Sequence, residues 1–352
     1  MAALIFLTST PPTIEEGSGT WVGISVLRDA IAALGHEVTL VAPPIAARRR
    51  TTSSRIAFNL RARSILRRMR ADALIGFDLD GVFVHRRGLP HVAAIKGVLA
   101  DEAEYESGIS RLSLSLQARL EGMHVRRADR VIATSLYSAG QIAKFYGVDR
   151  PRIRIVPELI DIAVWERALR AVSIEPEGRP RVLCVAHLYR RKRVDVLLRA
   201  FARFRGDAVL RIAGGGLERS RLESLARQLA ITERVDFLGH LPFARLLAEY
   251  RHAAVFALPS VQEGFGIVFL EAMASSLPIV AARAAAVPEV VDDGSTGILV
   301  PPEDDAALAE AMTKLLDDAS TRRVMGSAGR ERVRQFDAPL VARKFLEAIS
   351  VC

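Results

Sequence analysis

The strongest constraint in this 352-residue chain is its rhythm: short apolar runs alternate with helix-length segments, in two successive series. Leu4–Leu7, Glu37–Ala42, Ala73–Phe77, His91–Ile95, Arg130–Ala133 and Ile153–Val156 form the first. Arg181–Ala186, Ala208–Ile212, Val235–Leu238, Val255–Leu258, Pro278–Ala281 and Ile298–Val300 form the second. Apolar runs of this length between helical patterns mark βαβ units, whose strands are buried on both faces of a parallel sheet. Val172–Pro180, rich in Pro, Gly and charge, separates the series and reads as a linker. The expected fold is α/β, with two doubly wound parallel-sheet domains over residues 1–172 and 173–336. A closing helix in 337–352 is expected to pack back on the first domain. Two such domains imply a cleft between them. After the first strand, the turn Gly17-Ser18-Gly19-Thr20 is expected to open a helix that Gly35 closes. Doubly wound folds bind phosphate or sugar at such a turn, although a tight turn without ligand is equally common.

Half the residues are apolar and a quarter charged, as in ordinary soluble enzymes. No apolar run reaches the ~18–20 residues of a membrane span. The opening Met1–Thr8 lacks the basic region of a signal peptide, so a cytoplasmic location is expected. Cys184 and Cys352 cannot make a disulfide framework, and no Cys/His cluster has metal spacing, so no metal is expected. The formal charge of +9 is uneven: residues 1–170 carry 24 Lys+Arg against 17 Asp+Glu, the remainder 25 against 23. Nine arginines fall between Arg48 and Arg70 with no acid among them. A solvated basic helix is the plain reading; an anionic membrane surface or a phosphate-bearing acceptor are the sharper ones. Ile56, Phe58, Leu60, Ile65, Leu66 and Met69 do not share one helical face, which argues against an amphipathic anchor there. Aromatic interleaving is absent, which argues against nucleic acid.

The most informative stretch is Ser260–Pro278, S-V-Q-E-G-F-G-I-V-F-L-E-A-M-A-S-S-L-P. It runs from a strand end through a Gly-Phe-Gly turn into a helix. With a helix start near Gly266, Glu263 lies in the loop and Glu271 just over one turn inside. Their α-carbons then stand no more than ~12 Å apart, which suits two ends of an elongated ligand better than two acids on one bond. The N–H groups of the helix start favour anionic or hydroxyl oxygens.

This stretch, with V-P-E-V-V-D-D-G-S-T-G-I-L-V-P-P-E-D after it, resembles the family-4 retaining glycosyltransferases of GT-B architecture, two Rossmann-like domains facing across a cleft. V-L-C-V-A-H-L-Y-R-R-K-R-V-D-V-L-L-R-A-F is similar to the family's diphosphate-binding strand and helix, and A-D-R-V-I-A-T-S-L-Y-S-A-G-Q-I extends the likeness into the first half. The resemblance implies that Glu263 holds the donor sugar hydroxyls beside Gly264, Phe265, Gly266 and Ile267. It implies that Glu271 accepts from the nucleotide ribose, and that Lys192 neutralises the diphosphate with help from Arg191. The family's usual arginine is here His187, which cannot supply a permanent charge. Gly19 falls at the family's glycine loop, and Lys96 stands where many members carry a histidine near the anomeric centre. Ser276 and Ala285-Ala286 replace glycines of the common pattern.

Two other motifs are read as structural. Gly214-Gly215-Gly216 lacks the spacing and ribose acid of a dinucleotide fingerprint. Asp78-Leu79-Asp80 imitates a metal-binding D-x-D, but in this architecture basic side chains and helix dipoles stabilise the leaving diphosphate. The resemblance thus implies a metal-independent, retaining hexosyltransferase without cofactor, using a donor such as UDP- or GDP-hexose. The acceptor would be a glycan, a lipid-linked or a small-molecule sugar in cell-envelope or polysaccharide biosynthesis. Peripheral contact with an anionic membrane at the inner face is a further expectation. A GT-B nucleotide-sugar epimerase and a non-catalytic nucleotide-sugar-binding protein are the alternatives.

Overall fold

A computed structural model describes residues 1–11, 14–44, 51–84, 88–173 and 178–349. All twelve expected strands form, with ends shifted by no more than one residue. The chain divides into two compact units, Met1–Leu159 with Asp337–Cys352, and Ile160–Phe336.

The first unit holds β1 (Ala3–Leu7), β2 (Glu37–Val41), β3 (Ala73–Phe77), β4 (His91–Ile95), β5 (Arg130–Ala133) and β6 (Ile153–Ile155). They pair in parallel in the order β2-β1-β3-β4-β5-β6. Ile5, Phe6 and Leu7 of the interior strand β1 are fully enclosed, as a strand covered on both faces requires. Phe6 meets Phe77 edge-on at 5.1 Å and Phe345 at 6.1 Å between ring centroids. Phe345 belongs to the closing helix Ala338–Ile349, which also sends Val341, Ala342 and Ile349 into the core of this unit.

The second unit holds β7 (Arg181–Val185), β8 (Val209–Ala213), β9 (Val235–Gly239), β10 (Val255–Leu258), β11 (Ile279–Ala282) and β12 (Gly297–Val300). Its parallel order is β12-β11-β10-β7-β8-β9, so the direction of winding reverses between β7 and β10. Such a reversal opens a crevice beyond the carboxyl ends of the two strands. Cys184 of β7 is a buried free thiol, and Cys352 lies outside the described residues.

Two boundaries differ from the expectation. The units divide after Leu159 and not after residue 172, because the helix Ile162–Arg170 packs into the second core. Its Trp165 is buried, lies edge-on to Tyr250 at 5.5 Å, and donates its indole N–H to Ser275 Oγ at 3.0 Å. Val172–Pro180 therefore falls inside the second unit, and its residues 174–177 lie outside the described residues. The first helix runs Ile14–Ala33, so Gly17-Ser18-Gly19-Thr20 is helical and Gly19 is an exposed residue within it. A helix interior tolerates glycine at a modest cost per residue, so the glycines do not mark a turn here. Among the described residues no helix is long and apolar enough to cross a membrane.

Candidate functional site

At the reversal in the second sheet, the turn after β7 and the loop after β10 are tied together. The Val261 N–H donates to the Arg191 carbonyl at 2.9 Å, and Ser260 Oγ reaches the same oxygen at 3.2 Å. This clamp brings Lys192 and Glu263 together across 71 positions of sequence, with Nζ 2.6 Å from Oε1. Both side chains are largely withdrawn from solvent, 15% and 8% exposed. A charge-assisted bond of that length in a shielded crevice holds two groups at fixed positions. The bond joins the two groups expected to bind diphosphate and sugar.

The β7 turn itself rests on backbone contact. The Leu188 N–H donates to the Gly215 carbonyl at 2.8 Å, and Gly214 has φ +121°. A Cβ on Gly214 would lie 2.0 Å from the Ala186 carbonyl oxygen, so only glycine permits this approach. Gly214-Gly215-Gly216 therefore serves packing, as the sequence reading held. His187 stacks on Tyr189 at 5.8 Å, and the Arg191 guanidinium lies 5.0 Å from the Tyr189 ring centre. Burial, followed by the positive charges of Lys192 and Arg191, lowers His187 to about 4. It is neutral at pH 7, so the permanent charge of the turn rests on Lys192 and its neighbouring arginines.

The helix after β10 runs Ile267–Ala274. Its N-cap Gly266 has φ +93°, and a Cβ there would fall 2.6 Å from the Phe269 ring. Phe265 is buried edge-on against Phe336 at 5.5 Å, which fixes the loop that carries Gly264 and Glu263. Glu271 stands one turn inside the helix, as the motif spacing implied. Its Oε2 accepts from the Tyr250 hydroxyl at 2.7 Å. Burial raises the Glu271 carboxyl to about 7, although the Tyr250 bond works in the opposite direction. Tyr250 is itself fully buried, stacked on Phe256 at 6.0 Å, and burial pushes its hydroxyl well above the usual range. Tyr250 thus stays a donor, and sequence reasoning missed it. Its aromatic place in the helix Phe243–His252 reads as ordinary core.

In the first unit, Lys96 is not a free cation. Its Nζ lies 2.7 Å from Glu158 Oε2, and both side chains are 10% exposed. Its backbone N–H donates to Asp78 Oδ1 at 2.9 Å. The first helix approaches this pair at Gly23, where a Cβ would stand 2.7 Å from Glu158 Oε2 and 3.3 Å from Lys96 Nζ. Gly19, expected in a ligand-binding glycine loop, is a helix residue, and the helix glycine that lies against this charged pair is Gly23. The signal was available as a third glycine on the helix. Beside Lys96, a cavity of about 20 Å³ is lined by Leu27, Phe77, Thr134, Val156 and Phe345. It has room for a water and none for a sugar.

Asp78-Leu79-Asp80 folds the end of β3. Asp80 is fully buried and accepts from Ser9 N–H at 2.6 Å, Ser9 Oγ at 2.8 Å and Asn59 Nδ2 at 2.7 Å. Arg55, one of the nine clustered arginines, is buried with Nη2 3.6 Å from Asp80 Oδ2. The Asp78 carbonyl lies 2.6 Å from His124 Nδ1, and burial keeps His124 neutral, lowered to about 4. Among the described residues no group of three or more His, Cys, Asp or Glu is placed to hold a metal ion.

Two parallel six-stranded units, the second with its charged pair at the reversal, define the GT-B class of fold. The family model described as Glycosyl transferases group 1 matches residues 166–332, and Glycosyltransferase Family 4 matches residues 17–164. The chain belongs to the family-4 GT-B glycosyltransferases. A D-inositol 3-phosphate glycosyltransferase of Nocardia farcinica is 35% identical over 274 residues, which are 74% of this chain and 59% of that protein. A glycogen synthase of Mycobacterium tuberculosis is 32% identical over 71% of this chain and 61% of its own length. The chain thus spans about three fifths of these relatives. Among solved structures, a sucrose-phosphate synthase from Thermosynechococcus elongatus superposes with a TM-score of 0.84 at 21% identity, covering 99% of this chain and 98% of the other. Anabaena HepE in complex with UDP and glucose gives 0.76 at 18% identity, covering 99% of each chain.

Proposed function

We propose that the chain is a retaining glycosyltransferase moving a hexose from a nucleotide diphosphate sugar to a glycan, lipid-linked or small-molecule acceptor. The observation that carries this reading is the shielded Lys192–Glu263 pair at the sheet reversal, with Glu271 on the helix that follows. In this reading Glu263 accepts from the sugar hydroxyls and Glu271 from the ribose. Lys192, with Arg191 nearby, stabilises the charge that develops on the leaving diphosphate. The leaving phosphate oxygen takes the acceptor's proton as the new glycosidic bond forms on the same face, so no enzymic nucleophile is needed. Residues position the reactants and supply fixed charge, and a bound metal is not required.

The named activities of the relatives support the reaction class, and the HepE ligands indicate which donors to try first. Cytoplasmic action in polysaccharide or envelope biosynthesis goes with a soluble sugar-nucleotide donor. The test is a panel of UDP- and GDP-hexoses assayed for transfer and donor hydrolysis, with Lys192→Ala and Glu263→Ala variants. Each variant is expected to lose at least ~100-fold in turnover, the scale set by removing one electrostatic stabiliser. A chelator is expected to leave the rate unchanged. Unchanged turnover in both variants would sink the placement. Donor isomerisation without any acceptor would instead assign an epimerase.

A further inference from the structure

Large apolar side chains exposed to solvent occur singly on several elements, but they gather on two neighbouring helices of the first unit. On the helix Gly108–Arg127, Ile109, Leu112 and Leu116 are 86%, 72% and 46% exposed. Spacings of three and four residues place all three within one helical stripe. The opposite side of this helix is anchored by buried Gln117, Ala118 and Glu121, so the stripe is the outward face. The helix Thr52–Leu66 lies alongside: Thr52 Oγ1 is 2.8 Å from Ser113 Oγ, and Arg55 Nη1 donates to Gln117 Oε1 at 2.9 Å. It buries Arg55, Asn59, Ala62 and Leu66 and turns Leu60, Arg61, Arg63, Ile65 and Arg67 outward.

Charge decides what could cover these faces. No acid occurs from Arg48 to Arg70, nor from Gly108 to Leu120; the nearest exposed one before the second helix is Glu104. A second copy of the chain would set arginine against arginine. Exposed apolar side chains flanked by cations fit a surface that is anionic outside and apolar beneath.

We propose that the outer faces of the helices Thr52–Leu66 and Gly108–Arg127 form a docking surface for an anionic lipid bilayer. Ile109, Leu112 and Leu116 enter the boundary between headgroups and acyl chains, while Arg63, Arg67 and their neighbours pair with lipid phosphates. An arginine-rich helix that is not itself cleanly amphipathic thus gains its apolar partner from an adjacent helix, remote in sequence.

The test is co-sedimentation of the full chain with vesicles of equal parts phosphatidylglycerol and phosphatidylcholine, against pure phosphatidylcholine, at low and high salt. Expected are binding to the anionic vesicles only, weakening with salt, and a loss of at least tenfold in each of two variants. The first is Ile109→Ser with Leu112→Ser and Leu116→Ser; the second is Arg63→Glu with Arg67→Glu. All these side chains are exposed, so both variants should melt with the wild type. No vesicle binding, or equal binding by the apolar triple variant, overturns the proposal. So does a dimer that the triple variant dissolves in the absence of lipid, which would assign the face to a second copy. No sugar nucleotide enters the assay, so its failure leaves the reading of the donor site untouched.

Discussion

Glu271 and His187 follow the two strands at the sheet reversal, and burial drives their titrations in opposite directions. The folded Glu271 carboxyl keeps its proton up to about 7, against an ordinary value of 4.5. Between those values the folded state binds more protons than the unfolded state, so this contribution to stability falls as pH rises. In full it amounts to roughly 3 kcal/mol. His187 has the reverse sign: lowered from 6.5 to about 4, it contributes stability that is complete above 6.5 and lost as pH falls through 4. Glu271→Gln should remove only the first effect. Thermal melts at pH 5 and pH 8 should show the variant gaining on the wild type at pH 8; a difference independent of pH would contradict the assignment. In the donor reading, ribose binding selects the ionised carboxylate. Nucleotide binding near pH 7 should therefore release a proton, visible as a binding enthalpy that changes with the ionisation heat of the buffer. Tyr250→Phe should alter that proton release while leaving the Lys192–Glu263 bond in place. Both acids were legible in sequence because one local motif carries them. The Lys192–Glu263 bond and the Tyr250 donor were not, because each depends on a contact between distant segments.

Elements show the same division between local and long-range information. Twelve strands could be read because a strand covered on both faces must be apolar throughout, and that pattern is local. The Ser9–Arg55–Asn59–Asp80 network could not, since only Arg55 and Asn59 share a helix, and Ser9 and Asp80 reach them from two distant loops. The glycine replacements after the donor-side helix prove to have a conformational meaning. Ser276 has φ +59° and closes that helix with Ser276 N–H to Met273 O at 2.9 Å and Leu277 N–H to Ala272 O at 2.9 Å. This is the C-terminal cap in which a left-handed glycine is preferred. Ala285 is held at φ +49°. A left-handed side-chain residue costs roughly 1–2 kcal/mol, partly offset by the stiffer unfolded chain that a non-glycine residue provides. Ser276→Gly and Ala285→Gly should each stabilise the fold by about 0.5–1 kcal/mol in denaturant titrations. Gly214→Ala, against the Ala186 carbonyl, should destabilise it and displace the Lys192 turn. Destabilisation by either glycine introduction would mean that the side chain makes contacts outweighing its strain.

At the scale of the whole chain, the first unit is completed only by residues that arrive after the second has been built. Ala338, Val341, Ala342, Phe345 and Ile349 belong to the same core as Leu4, Phe6, Ile24 and Leu27. A closing helix packing back on the first domain was expected from the sequence. The packing of Phe345 against Phe6 supplies the physical reason for it. Burying the Val, Phe and Ile side chains contributes of order 6 kcal/mol at about 2 kcal/mol each. That is comparable with the whole stability of an ordinary domain, about 5–15 kcal/mol. The second core extends to Phe336 and draws nothing from residues 337–349. A chain truncated after Phe336 should therefore lose amide-exchange protection across β1–β6 while keeping it across β7–β12. Hydrogen–deuterium exchange on the truncated and full chains measures this directly. Equal loss in both sheets would show that the units fold as one cooperative body, whereas retained protection in β1–β6 would mean that the closing helix merely covers a core already stable without it.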